Sequence, residues 1–157
     1  MLLIAYASKS GTAKEAAERL ADLLPSAKLV DLTLESPTIT GFDEVIIGSG
    51  VRMGSIHKAA KEFAAKNKDV LASRKIALFI TNSFIDASDE VIAKGFPEEL
   101  RNCALWCGSL GGRLDAEKLK GLDKAIAKAV SKAVKEGTPL NEDINAAALQ
   151  DLASRFQ

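Results

Sequence analysis

The sequence predicts an α/β fold in which a parallel sheet is covered by helices on both faces. Short apolar runs rich in β-branched residues alternate with longer segments whose apolar residues recur every three to four positions. The first run, Leu2–Ala7, is typical of a strand buried on both faces. The chain of 157 residues is long enough to bury one core, so we expect a single domain over residues 1–157.

The first predicted strand leads into the first predicted helix. Apolar residues at helical spacing indicate this helix, and Thr12 with Glu15 fits a capping box at its start. Pro25 ends it, because proline cannot continue a helix. Residues 28–32 form the second strand candidate.

The rest of the chain continues the alternation. A strand is expected at 45–49, followed by a helix over 56–71 with Ser55 as its N-cap and a strand at 76–80. A broken helical region over 88–101, which Pro97 divides, leads to a strand at 103–107. An amphipathic stripe then runs from Leu119 to Val134, and a last helix has Ile144, Ala148, Leu152 and Phe156 on one face.

Composition and charge exclude several classes of function. The chain has 21 Lys and Arg residues and 21 Asp and Glu residues, so it lacks the cationic excess that binds nucleic acid. No apolar run approaches the roughly 18–20 residues of a membrane-spanning helix, and Met1–Ala5 carries no basic flank of a signal peptide. Cys103 and Cys107 are too few for a disulfide scaffold and are not spaced as metal ligands. We therefore expect a cytoplasmic protein without a nucleic-acid partner, a membrane span or a metal site.

Three segments of unusual composition follow predicted strands. In an open parallel sheet, ligands bind beyond the carboxyl ends of the strands, where the strand order reverses. If the strand order is 2-1-3-4-5, the segments after strands one and three flank the same crevice. The candidate binding residues are Ser8, Lys9, Ser10, Gly11, Thr12 and Ala13 after the first strand, Ser49, Gly50, Val51, Arg52, Met53 and Gly54 after the third, and Thr81, Asn82, Ser83 and Phe84 after the fourth.

The segment after the first strand has the chemistry that a phosphate needs. It offers three hydroxyl groups, and Gly11 lets backbone amides approach an anion closely. The segment also opens a helix, whose unpaired N–H groups and dipole attract negative charge. Lys9 either adds positive charge or points to solvent, and the same residue types also suit an ordinary helix cap.

The segment after the third strand is rich in glycine. Gly48, Gly50 and Gly54 either let the backbone approach a flat ligand or form a turn with unusual dihedral angles. Arg52 either pairs with an anion or lies on the surface. Neither a Walker A motif nor a GxGxxG motif follows the first strand, so the usual nucleoside-triphosphate and dinucleotide loops are absent from this position.

With these segments in place, the sequence resembles the flavodoxin family. That family has a T/S-x-T/S-G-x-T segment after its first strand that binds the phosphate of FMN, and here the segment reads Ser8-Lys9-Ser10-Gly11-Thr12-Ala13, with Ala13 replacing the last hydroxyl residue. In the family, the next two segments flank the isoalloxazine ring. The resemblance implies a five-stranded doubly wound sheet of order 2-1-3-4-5 and FMN as the cofactor. It also implies electron transfer or a small flavin-dependent oxidoreductase, acting with a redox partner protein or a small-molecule substrate.

A more specific resemblance lies in residues 45–58 and in Glu62-Phe63. This stretch is similar to the flavodoxin-like branch that contains menaquinone-dependent protoporphyrinogen oxidase, which implies a dehydrogenase that uses a quinone. That branch has an aromatic and basic insertion late in the chain, whereas residues 113–137 here contain no aromatic residue. A cofactor-free interaction module is a further alternative, because Ala13 lacks a hydroxyl and the ring segments offer few aromatic side chains.

Several other residues have two possible roles. The stretch Cys107–Arg113 fits the Cx₅R spacing of cysteine phosphatases, but it also suits a buried cysteine before a glycine-rich turn. His57, the single histidine, is either structural or a contact to substrate. Phe84 either covers a ligand or caps the core. Trp106 and Tyr6 are expected in the core.

Overall fold

The computed structural model describes residues 1–112 and 143–157. Its strands are β1 (Leu2–Ala7), β2 (Lys28–Asp31), β3 (Glu44–Arg52), β4 (Ser55–Ile56), β5 (Lys75–Thr81) and β6 (Trp106–Ser109). Its helices are α1 (Thr12–Leu23), α2 (Lys58–Lys66), α3 (Lys68–Leu71), α4 (Ser88–Gly95), α5 (Glu98–Cys103) and α6 (Ala146–Ser154), and a 3₁₀ turn at Ile85–Ala87 precedes α4. The predicted stripe from Leu119 to Val134 lies outside the described residues.

The sheet has the order β2-β1-β3-β5-β6, and each pairing along this path is parallel. These are the five strands that the sequence predicts, in the predicted spatial order. The sequence does not predict β4, whose two residues pair antiparallel with the end of β3. Among the described residues, the sheet therefore has six strands rather than five, and five of them form its parallel part.

Each face of the sheet packs against its own set of helices, because successive side chains of a strand point to opposite faces. On one face, α2, α3 and α5 pack Phe63, Leu71 and Leu100 into a core that α4 also covers. On the other face, α1 and α6 pack Leu20 and Leu152. The expected α/β fold with helices on both faces is confirmed. Within the described ranges, no helix is long and apolar enough to cross a bilayer.

The start of α1 differs from the predicted capping box. Gly11 is the N-cap, and its backbone is left-handed with φ 93°. Because glycine has no side chain, α1 has no side-chain cap, and Thr12 is already the first helical residue. Glu15 forms an ion pair with Arg19 at 3.1 Å. The predicted pairing of Thr12 with Glu15 is therefore wrong.

The boundaries of α2 and β6 also differ from the prediction. Ser55 belongs to β4, and α2 begins after the N-cap His57, because the chain first turns back on β3. Cys103 ends α5, so β6 begins at Trp106 instead. Trp106 is half-buried against the core, and its Nε1 donates to Asp151 Oδ2 on α6 at 3.1 Å.

Gly48 lies directly against the ring of Phe79 in the neighbouring strand. A Cβ atom at position 48 would be 1.9 Å from Cζ of that ring. We expect Gly48→Ala to lower the free energy of unfolding by about 3 kcal/mol, because the added methyl group overpacks a filled core. Urea denaturation measures this change.

The matched control is Gly50→Ala, two residues further along the same strand. A Cβ at this position would have its nearest neighbours at 3.9 Å, which is ordinary contact. This variant should unfold at the same urea concentration as the parent protein. Equal loss of stability in the two variants would contradict the packing described here.

Candidate functional site

Three chain segments meet at the carboxyl edge of the sheet. The strand pairing places Gly50 beside Thr81, at the ends of β3 and β5. A Cβ at Gly50 would lie 3.9 Å from Cβ of Ala13, at the start of α1, and 3.9 Å from Oγ1 of Thr81. The strand order reverses between β1 and β3, so this edge is where ligands of open parallel sheets bind. The structure thus brings together the three segments that the sequence singles out.

The segment between β1 and α1 presents backbone N–H groups at a helix start. The N–H of Gly11 donates to Ser8 Oγ at 2.9 Å, which closes the turn. The N–H groups of Thr12–Lys14 belong to the first helical turn and have no acceptor within the helix. Lys9 and Ser10 are exposed beside them. The positive end of the helix dipole and these donors together suit an anion.

Ala13 is the position at which the segment departs from the flavodoxin pattern. Its methyl group is fully buried and lies close to Gly50. The replacement removes one side-chain donor, but the backbone N–H of Ala13 remains at the helix start. Thr12 is also buried, with 7% of its surface exposed.

The second predicted segment is a β-hairpin rather than a loop. The chain of β3 continues through Arg52, which pairs with Ser55 of β4. Met53 and Gly54 are the two turn residues, with φ 56° and 74°. Positive φ at both positions is characteristic of a type I′ turn, whose twist matches that of the flanking strands. Met53 is 64% exposed at the tip, and Val51 is half-buried.

Ser49 and His57 hold the base of this hairpin. The hydroxyl of Ser49 donates to Gly50 O at 2.7 Å and accepts from His57 N at 2.8 Å. His57 Nδ1 accepts from Ala59 N at 3.0 Å and so caps α2. Ser49 is fully buried, so the hydroxyl that the sequence predicts as a cofactor contact is engaged within the protein. The same contacts give His57 a structural role.

Asn82 ties the third predicted segment to neighbouring elements. Its Nδ2 donates to Phe84 O at 2.7 Å and to Ser88 Oγ at 3.0 Å. Its Oδ1 accepts from Ser109 Oγ at 2.6 Å, and its backbone N–H donates to Gly111 O at 3.0 Å. The side chain is 7% exposed. Two of these partners, Ser109 and Gly111, lie far from Asn82 in sequence, so the sequence did not reveal this role of Asn82.

Exposure separates the predicted site residues into two groups. Accessible at least in part are Ser8, Lys9, Ser10, Gly11, Gly50, Val51, Arg52, Met53, Gly54, Ser83 and Phe84. Buried are Thr12, Ala13, Ser49, Thr81 and Asn82. A ligand that binds without rearranging the protein therefore contacts mainly residues of the accessible group.

The described residues also form two surface depressions away from this edge. One, of about 310 Å³, is lined by residues 36–41 with Lys66, Asn67, Val70 and Arg74. The other, of about 320 Å³, lies between α2 and the helical region 93–101. Neither includes a predicted site residue. Within the described ranges, no cluster of three or more His, Cys, Asp or Glu side chains is arranged to hold a metal ion.

Cys107 lies inside a strand rather than in a phosphate-binding loop. It pairs with Leu78, and the chain continues as β6 through Ser109. Desolvation raises the pKa of the Cys107 thiol above its ordinary value, with a smaller opposing effect of Arg101 and an added contribution of Asp89. A phosphatase nucleophile requires the reverse shift, toward the thiolate. The arginine of the Cx₅R spacing, Arg113, lies outside the described residues.

Comparison with solved structures shows the same architecture in flavodoxins. Oxidised Flavodoxin 2 from Bacillus cereus is 24% identical, with a TM-score of 0.55 over 85% of this chain and 94% of that chain. Oxidised Flavodoxin 1 from Bacillus cereus is 17% identical, with a TM-score of 0.53 over 74% of this chain and 87% of that chain. At these identities, the likeness shows the fold alone.

A longer protein also contains this fold. Rubredoxin oxygen:oxidoreductase from Desulfovibrio gigas is 17% identical, with a TM-score of 0.57 over 86% of this chain, and the match spans 36% of that protein's length. No curated protein sequence matches this chain. The family profile described as flavodoxin domain matches residues 3–140, which is most of the chain. The chain therefore belongs to the flavodoxin domain family.

Proposed function

We propose that this protein binds FMN non-covalently and uses it to transfer electrons to or from a redox partner protein or a small-molecule substrate. The observation that carries the proposal is the meeting of the α1 start, the hairpin and the end of β5 around Gly50. Membership of the flavodoxin domain family supports it. The cytoplasmic location and the identity of the partner stay predictions.

The residues present fit the two ends of FMN. At the phosphate end, the first-turn N–H groups of α1 and the exposed Lys9 and Ser10 provide donors and positive charge. At the ring end, Gly50 is partly exposed and has no side chain, and a Cβ there would make ordinary contact with Ala13 and Thr81 at 3.9 Å. Two partly exposed apolar side chains, Met53 and Phe84, lie on the segments that would flank a planar ring.

The chain's own residues provide binding and orientation, while bound FMN supplies the redox chemistry. The start of α1 would hold the phosphate, and the type I′ turn fixes the position of Met53 at the tip of the hairpin. The single histidine uses Nδ1 to cap α2, so it does not offer that nitrogen to a substrate.

A quinone-dependent oxidase of the protoporphyrinogen type is the second candidate. The stretch that resembles that branch, residues 45–58, forms nearly all of β3, the hairpin turn with β4, and the N-cap and first residue of α2. Its second half therefore lies at the proposed ring site. Menadione-dependent oxidation of protoporphyrinogen by the FMN-loaded protein would favour this candidate, and electron exchange with redox proteins alone would favour the carrier.

Retention of FMN tests the proposal directly. Protein incubated with excess FMN should carry one flavin per chain through gel filtration, detected by its visible absorption. Riboflavin has the same ring without the phosphate, so we expect it to bind at least about tenfold more weakly, since it forfeits the charge-assisted hydrogen bonds. Elution of all FMN with the small molecules would refute the proposal and favour a cofactor-free interaction module.

Substitutions at Gly11 test where the phosphate binds. Gly11 has a left-handed backbone, which both Asp and Asn tolerate better than most residues. Gly11→Asp and Gly11→Asn therefore introduce similar strain, but only the carboxylate repels a phosphate. We expect FMN to bind about tenfold more weakly to Gly11→Asp than to Gly11→Asn.

Riboflavin is the internal control for this pair of variants. Because it has no phosphate, it should bind both variants equally, as measured by fluorescence titration. Equal FMN affinity of the two variants would place the phosphate elsewhere.

A further inference from the structure

We infer that Asn82 is a positioning residue, whose side-chain amide holds the segment 81–84 in the shape that the flavin ring contacts. The inference rests on the proposed FMN binding. The sequence predicts that Asn82 contacts the ligand itself. We infer instead that Asn82 acts on the ligand indirectly, by holding Phe84. The nearly complete burial of Asn82 and the number of its partners carry the inference.

The amide of Asn82 joins three elements at once. Its two donated bonds reach Phe84 O, two residues ahead, and Ser88 Oγ, at the first residue of α4. Its Oδ1 accepts a short bond from Ser109, at the last residue of β6, and a longer one of 3.4 Å from Ser88 Oγ. Only an amide side chain of this size offers two donors and an acceptor together, so neither aspartate nor leucine can replace it.

The backbone of Asn82 packs closely against the residues that follow β6. A Cβ at Gly112 would lie 2.6 Å from Asn82 O, and a Cβ at Gly111 would lie 2.6 Å from Asp143 O. The N–H of Gly112 donates to Asp143 O at 3.2 Å. Asn82 therefore connects the ring segment, through the residues after β6, to the residues that precede α6.

The shape of the exposed residues in segment 81–84 depends on the bonds of Asn82. Phe84 is half-buried and is followed by Ile85, which is 44% exposed. Between the end of β5 and the 3₁₀ turn, the described residues Asn82 to Phe84 belong to no helix or named strand, although Phe84 makes a single β-bridge. A short segment of this kind takes its shape from side-chain hydrogen bonds. Removing the amide frees Phe84 to leave the position that covers the ring.

Two substitutions of Asn82 test the inference. Asn82→Ala removes all the side-chain bonds, and Asn82→Asp places a carboxylate oxygen against Phe84 O. We expect each to weaken the binding of FMN and of riboflavin by the same factor, about tenfold, because the ring end is affected and the phosphate end is not. The visible absorption band of the bound flavin should also shift. The control is Asn102→Asp, which makes the same charge change on an exposed residue of α5 and should leave both affinities unchanged.

Ser109→Ala separates positioning from direct contact. Ser109 donates to Asn82 Oδ1 and accepts from Gly111 N at 3.1 Å, so it acts on the ring segment only through its neighbours. We expect this variant to weaken riboflavin binding as well, and the double variant with Asn82→Ala to lose less than the product of the two single effects. This milder variant keeps the test decisive if Asn82→Ala does not fold.

The outcomes of these titrations are distinct. Unchanged riboflavin affinity in Ser109→Ala, or additive effects in the double variant, would overturn the positioning role. A tenfold loss for FMN with no loss for riboflavin would also overturn it. Failure of the unsubstituted protein to bind either flavin would instead overturn the proposed function on which the inference rests.

Discussion

The register of β3 between β1 and β5 is the constraint on which the rest of the site depends. It pairs Ser49 with Ala7 and with Ile80, and it places Gly50 beside Thr81. A slip of one residue would exchange the two faces of β3, so Ser49 would meet the ring of Phe79 and Gly50 would leave the crevice. Such a slip would bury polar groups without partners and make atoms overlap, so it would lower the stability of the fold. The register, and with it the relative position of the three segments, is therefore fixed. The candidate site is thus a consequence of how the core packs.

Three glycines near the end of β3 lie in three different surroundings. Gly48 makes room for an aromatic ring in the core, since any Cβ there would overlap Phe79. Gly50 is partly exposed at the carboxyl edge, where a Cβ would make ordinary contacts, and Gly54 supplies positive φ in the hairpin turn. A sequence shows only that a side chain is absent at each position. Which of these surroundings a glycine has depends on atoms contributed by other strands, and this is why the glycine-rich stretch supports two interpretations from sequence alone.

The alternation of strands and helices was predictable from sequence because each long element carries its own periodic signal. The hairpin was not predictable, because a two-residue strand such as β4 has no periodicity. Ser55 therefore suggested the N-cap of a helix, whereas His57 is the residue that caps α2. Polar residues at strand ends, such as Asn82, correctly indicated where the segments converge. Their individual roles depend on partners as distant as Ser109, 27 residues along the chain. Local pattern therefore indicated where the three segments meet, and tertiary contacts determined which of their side chains are exposed.

We propose that FMN lies across the carboxyl edge of the sheet, with its phosphate at the start of α1. A crystal structure of the protein grown with excess FMN is the decisive experiment. We expect phosphate oxygens bonded to the backbone N–H groups of Thr12–Lys14 and a ring held between the hairpin and residues 81–84. FMN bound in the depression beside residues 36–41, or a crevice filled with the protein's own side chains, would contradict this proposal.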